Sequence, residues 1–303
     1  MLRCRAKIVC MHISFVILAL WLCWVSVAKA QTNIVGQALA DSRVPKCSVE
    51  PQRRLKIDAA TAAKVGRQVW LNETGGKREA ITAWNASEDF ASLGIGHFIW
   101  FSAGLKSRFV ESFPTMLQFL RSRGSALPRW LDKERIPPSP WTTKAQFESE
   151  FLSPRMTELR RFLLATMDLQ AQFLVRRLEN ALPKLLAALP DPKSRIHVRC
   201  QFYRVVAASP DLYPLIDYVN FKGEGVNKSE TFPNRLTRRP EGWGLKHILL
   251  AMKGSSNDAA EVLREFSDGA GFVLLQRIAN NPRDRRWQAG WLARTKSYRY
   301  PLR

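Results

Sequence analysis

Histidine and cysteine are scarce in this chain. Its 303 residues include four histidines and five cysteines. They show no metal-ligand spacing, which excludes a zinc site, and no cofactor is expected. No internal repeat and no low-complexity tract stands out, which excludes a repeat array. Strand-like pattern is confined to one stretch, about 81–99, which excludes an extended-sheet protein. Acids are the minority charge: 26 Asp and Glu stand against 47 Lys and Arg, for a net charge of +21.

What is present begins with a leader. Arg3, Arg5 and Lys7 form a basic patch, Ile8 to Val27 is apolar, and Ala28-Lys29-Ala30 is an A-x-A cleavage site. The pattern predicts a signal peptide over 1–30, cleavage before Gln31, and a periplasmic or secreted protein. The alternative is an uncleaved anchor helix of about twenty residues. The small-residue site favours cleavage, so no stable membrane span is expected after processing. Cys23 follows Leu22 rather than a small residue, which argues against a lipoprotein. Processing would remove Cys4, Cys10 and Cys23 and leave Cys47 and Cys200. In an oxidising compartment those two suggest one disulfide, with two separate buried thiols as the alternative. The processed chain has 43 basic and 26 acidic residues, or +17. A basic surface concentrates polyanions. Nucleic acid is the usual partner of such a surface, but an exported chain meets peptidoglycan, anionic lipid and lipopolysaccharide instead. Peptidoglycan or a related anionic glycan is the expected partner, and no nucleic acid is expected. Simple solubility would also account for the charge.

The chemistry concentrates between residues 58 and 100. Asp58 is a good N-cap for a helix from Ala59 to Asn72, and Thr74-Gly75-Gly76 supplies the stop. Ala62, Val65 and Val69 recur at helical spacing, and Glu73 falls next on that face. A carboxylate on an apolar stripe loses solvation, and lost solvation favours the neutral acid. A general acid needs that property at neutral pH. Ser92-Leu93-Gly94-Ile95-Gly96-His97-Phe98 follows, an extended segment punctuated by glycines. The plain reading of these residues is a surface acid at a helix end and two glycines shaping a turn. His97 by itself reads as a structural histidine bonded to backbone or to a nearby acid.

Together the residues resemble the lysozyme-like superfamily, the phage-type lysozymes in particular. In that family a catalytic Glu ends the first long helix, and a Thr-Ile-Gly-Ile-Gly-His segment follows on a small β-hairpin. Glu73 matches the Glu, Ser92 stands in place of the Thr, and Gly94, Ile95, Gly96 and His97 match in order. The resemblance implies a mainly α fold with a small β-hairpin and a two-lobed, lysozyme-like architecture. It implies that Glu73 protonates a glycosidic oxygen while Ser92 helps hold a water. The family's second acid corresponds to Ala86, where the match fails; Glu88 and Asp89 lie close by and could serve. Asn281 to Trp287 is a weaker echo of an Arg-Arg helix in that family.

The remaining pattern is mostly helical. Residues 31–52 read as a lead-in segment, 53–135 as a lysozyme-like catalytic segment with the hairpin, and 136–303 as a helical lobe completing the same fold. Pro-rich Ile136 to Trp141 is a loop and the best internal boundary. Ser153-Pro154, Asp191-Pro192 and Ser209-Pro210 each read as a helix start, and Ser256 or Asn257 opens another helix around Ala259 to Phe266. Leu159 to Leu182 reads as one long helical pattern. Trp84 precedes polar residues and suits a sugar-binding groove, whereas Trp70 suits the core. Tyr218 and Glu224, in a glycine-bounded stretch, are candidates for the far wall of a cleft, although ordinary caps and turns also use such glycines. Three functions follow: a glycosidase or lytic transglycosylase acting on peptidoglycan, a glycan-binding protein without turnover, and a basic extracytoplasmic interaction protein whose motif is accidental.

Overall fold

The computed structural model describes residues 55–302 except 108, 228 and 229. The leader, the lead-in segment and Cys47 lie outside the described residues. Asp58 caps α1 (Ala59–Thr74): its Oδ1 accepts from the Thr61 amide at 2.7 Å. Gly75 ends the helix at φ 62°, in the left-handed region where glycine is least strained. Next come β1 (Thr82–Ala83), β2 (Ala91–Leu93) and β3 (Phe98–Trp100), an antiparallel sheet in that order. Ser92 sits opposite Ala83 on one side and Ile99 on the other. The three strands fall within the stretch that the sequence marks as extended except for Trp100, one residue past its end.

The helices are α2 (Phe113–Ser122), α3 (Lys144–Ser149), α4 (Pro154–Ala165), α5 (Met167–Ala187), α6 (Pro192–Ala208) and α7 (Tyr213–Lys222). A ribbon of β4 (Thr231–Pro233) and β5 (Pro240–Gly242) precedes α8 (Leu245–Ala251), α9 (Ala259–Asn280), a 3-10 turn (Pro282–Trp287) and α10 (Gln288–Ser297). The architecture is mainly α with a small antiparallel sheet. α5 packs against α1, α2, α6 and α7, and α9 packs against α6, α8 and α10. One continuous apolar core runs from Val65 through Trp100 and Leu178 to Phe266 and Tyr298.

Several sequence expectations change in detail. Ser153 and Asp191 cap their helices as read, accepting from the amides of Met156 and Ser194. The long leucine pattern is two helices that meet at Thr166, whose backbone leaves the helical range at φ −113° and ψ 19°. Ser209-Pro210 is a turn rather than a helix start. The Asp211 carboxylate gathers the Ser209 hydroxyl and the Tyr213 amide, and Leu212 sits at φ 57° before α7 begins. The last long helix is capped by Asp258 and runs on to Asn280, since Gly269 lets it lie close against Ile248. The β4–β5 ribbon has no signal in the sequence: its strands are three residues long and a proline starts or ends each. An Asn234 side chain that accepts from the amides of Leu236 and Thr237 shapes its turn.

The Pro-rich stretch is a loop held against the hairpin. Trp100 Nε1 donates to the Pro137 carbonyl at 3.0 Å, the Ser139 amide donates to Phe101 O at 2.8 Å, and Trp141 is fully buried beside Trp100. Cys200 is buried and disulfide-bonded.

Candidate functional site

The Gly94–His97 loop is clamped by one buried side chain. Gln170 on α5 is fully buried; its Oε1 accepts from the Ile95 amide at 3.0 Å, and its Nε2 donates to Leu163 O and Thr166 Oγ1. Gly94 has φ 74°, and a Cβ there would lie 2.5 Å from the Gln170 oxygen, so both the conformation and the close approach require glycine. The loop ends at His97, held at φ 48° although it is not glycine. Such strain persists only where the surroundings enforce it, and it collects at functional sites. Gln170→Leu should therefore orphan the Ile95 amide and cost about 1–3 kcal/mol. Hydrogen exchange at Ile95 should quicken while amides of α9 stay protected. Unchanged protection at Ile95 would remove Gln170 as the clamp.

Glu73, one residue from the end of α1, faces this loop. The sequence placed it on an apolar stripe; the structure also surrounds it with donors. Its Oε1 accepts from Arg294 Nη2 at 2.7 Å and from Asn220 Nδ2 at 3.3 Å. Its Oε2 lies 3.6 Å from His97 Nδ1, beyond hydrogen-bond reach, and is the oxygen left for a ligand. Behind Glu73, Arg294 also donates to both oxygens of Asp217, at 2.7 and 2.8 Å. Asp217 is fully buried and accepts from Tyr298 and Asn72 as well. Burial works against the Arg294 charge, but Asp217 and Glu73 outweigh it and hold the guanidinium firmly protonated. Burial and the Asp217 charge push the Tyr298 phenol well above the usual range.

A cleft of about 420 Å³ opens in front of Glu73. Its walls include Glu88, Ser92, His97, Asn220, Lys222 and Arg277. Glu88 Oε2 accepts from Asn85 at 2.9 Å and from the Ser92 hydroxyl at 3.3 Å. Four of the residues singled out in the sequence, Glu73, Glu88, Ser92 and His97, thus meet in one cleft. Larger hollows of about 740, 750 and 650 Å³ lie elsewhere among the described residues, but none of these three holds any of them.

Four other expectations are corrected. Asp89 is exposed and does not line the cleft. Trp84 is a core residue rather than a groove wall; it packs on Phe147 and donates to the Glu88 carbonyl at 2.7 Å, so it steadies the acid from behind. Tyr218 is fully buried and donates to the Trp243 carbonyl at 2.6 Å, which sets Trp243 in the cleft wall without reaching the cleft itself. Glu224 lies outside the cleft and pairs with Lys184 at 2.8 Å.

The sequence did not single out Glu230, Arg277 or Arg294. Glu230 lines the cleft, accepts from the Gly225 amide at 2.8 Å, and is pushed upward by burial. Arg294 did leave a trace: Trp291, Thr295 and Tyr298 are its buried neighbours at helical spacing, so it is a charge on an apolar stripe, as Glu73 is. Comparison with protein-family models, curated proteins and solved structures finds no match to this chain.

Proposed function

We propose that the protein is an exported glycosidase of lysozyme-like, two-lobed architecture. Its substrate is a β-1,4-linked amino sugar polymer, peptidoglycan above all. The reading rests chiefly on one observation: Glu73 ends the first helix with Oε1 fixed by Arg294 and Oε2 turned to a cleft that also holds Glu88, Ser92 and His97. Glu73 Oε2 delivers the proton to the glycosidic oxygen as the bond breaks. In hydrolysis Glu88 takes a proton from a water that Ser92 helps hold, and that water adds to the sugar carbon. In transglycosylation the sugar's own hydroxyl adds instead and closes an anhydro ring, its proton passing to the Glu73 carboxylate that has just given one up. The basic surface and the leader pattern agree with a wall polymer outside the cytoplasm.

One observation favours a different division of roles. Burial keeps Glu230 nearer its neutral form, whereas Glu73 lies against a guanidinium. A carboxyl held nearer its neutral form suits the role of general acid. Glu230 would then donate the proton and Glu73 would stabilise the oxocarbenium charge.

Purified peptidoglycan incubated with the protein should release soluble fragments. Mass analysis of their ends reads the chemistry: reducing ends mean hydrolysis, and anhydro ends, lighter by one water, mean transglycosylation. Loss of activity in Glu88→Gln goes with hydrolysis; loss in Glu230→Gln goes with the exchanged roles. Binding without release makes the protein a glycan binder. Neither binding nor release overturns the reading.

A further inference from the structure

The same cleft collects cations that no acid fully answers. Lys222 ends α7, and its Nζ lies 3.6 Å from the Trp291 ring centre and 4.0 Å from that of Phe221. Among the described residues it has no hydrogen bond and no ion pair. Burial, then Arg277 and Arg294, hold its ammonium well below the usual lysine range; Asp284 and Glu73 offset only part of this. Arg277 stacks on Trp243 at 4.1 Å and gives Nε to Asp284 at 2.8 Å, while its two terminal nitrogens stay uncommitted. The acids that share the cleft are engaged elsewhere: Glu73 with Arg294 and Asn220, Glu88 with Asn85 and Ser92, Glu230 with Gly225. A methionine would fill the space of Lys222 without the desolvation cost of a charge. Two cations with free donors, backed by aromatic faces, suit an anionic group that enters from solvent.

We propose that Lys222 and Arg277 form an oxyanion subsite of the cleft, which takes a carboxylate or phosphate carried by a sugar or its peptide substituent. The choice of a sugar acid as probe rests on the glycan reading; the anion subsite itself requires no turnover. Lys222 would give an N–H to one oxygen of the anion and Arg277 a terminal N–H to another. The neutral ring would lie against Phe232, in the cleft wall.

The test is equilibrium binding to the full chain, followed by calorimetry and by tryptophan fluorescence. N-acetylmuramic acid is compared with its methyl ester, and N-acetylglucosamine 6-phosphate with N-acetylglucosamine. The charged member of a pair should bind about tenfold tighter or more. Preference for the acid over its ester identifies a carboxylate site; preference confined to the phosphate pair identifies a phosphate site. Lys222→Met should abolish the preference and keep the weak binding of the neutral member. Equal affinity for charged and neutral members in the wild-type protein overturns the proposal, and so does a preference that survives in Lys222→Met. Should Lys222→Met fold poorly, Arg277→Gln takes its place, and a preference that survives it overturns the proposal. If wall fragments are never released but the preference holds, the glycosidase reading fails and the subsite stands.

Discussion

Glu73→Gln should lower the release of soluble fragments from peptidoglycan by about 10² to 10⁴-fold, the range expected when a general acid is lost. Glutamine keeps the size of the side chain, and its amide oxygen can still accept from Arg294 and Asn220. The atom that replaces Oε2 has no proton to give at neutral pH. The framework should survive, because Arg294 keeps both bonds to Asp217. Initial rates measured beside the thermal midpoint separate the two effects. A large loss of rate at an unchanged midpoint supports a catalytic role for Glu73, and retained activity in Glu230→Gln assigns it the proton transfer. Equal release by the two proteins would sink the assignment.

Asp217→Ala should cause the largest loss of stability among single changes at the site, about 3 to 5 kcal/mol. Arg294 is buried, and the change would leave Glu73 as its sole ion-pair partner. Tyr298 and Asn72 would lose an acceptor at the same point. For a chain of this size that is a fall in melting midpoint of roughly 5 to 10 °C. Asp217→Asn keeps the shape and part of the bonding, so it should fall between. Thermal melts of the three proteins, at matched pH and salt, check the ranking. A shift of less than about 3 °C in Asp217→Ala would mean that the network contributes little.

How much of this was legible before the fold was known can be judged from individual residues. Helix starts were legible at Asp58, Ser153 and Asp191, where a side chain accepts from the amide three positions ahead, although the same chemistry at Thr143 and Asp258 was missed. That chemistry is local, and local chemistry is written in local sequence. Ser209-Pro210 misled because the same residue pair also makes turns, and Asp211 decides between them. Glu73, Ser92 and His97 could be grouped because they lie within one helix and one hairpin. Asn220, Lys222 and Arg277 could not, because only the packing of α7 and α9 brings them to the cleft. On α7, Asp217 and Asn220 share the face toward Glu73 at a spacing of three, while Tyr218 points into the core behind it. A spacing rule applied to charges on apolar stripes would have marked Glu73 and Arg294 alike. Opposite charges so placed have reason to find each other, yet nothing local says that they meet.

The pairing of Glu73 with Arg294 spans 221 positions of sequence. A ribosome adding about 5–20 residues per second takes roughly 10 to 45 seconds to travel from one to the other. Throughout that interval the carboxylate exists without the guanidinium that fixes its Oε1. The hairpin, the first helix and Gln170 have all been synthesised while the cleft still lacks the anchor of its acid. The order of synthesis thus acts as a timer. A nascent chain carries Glu73 early but cannot hold it in its working position until α10 has been made and docked.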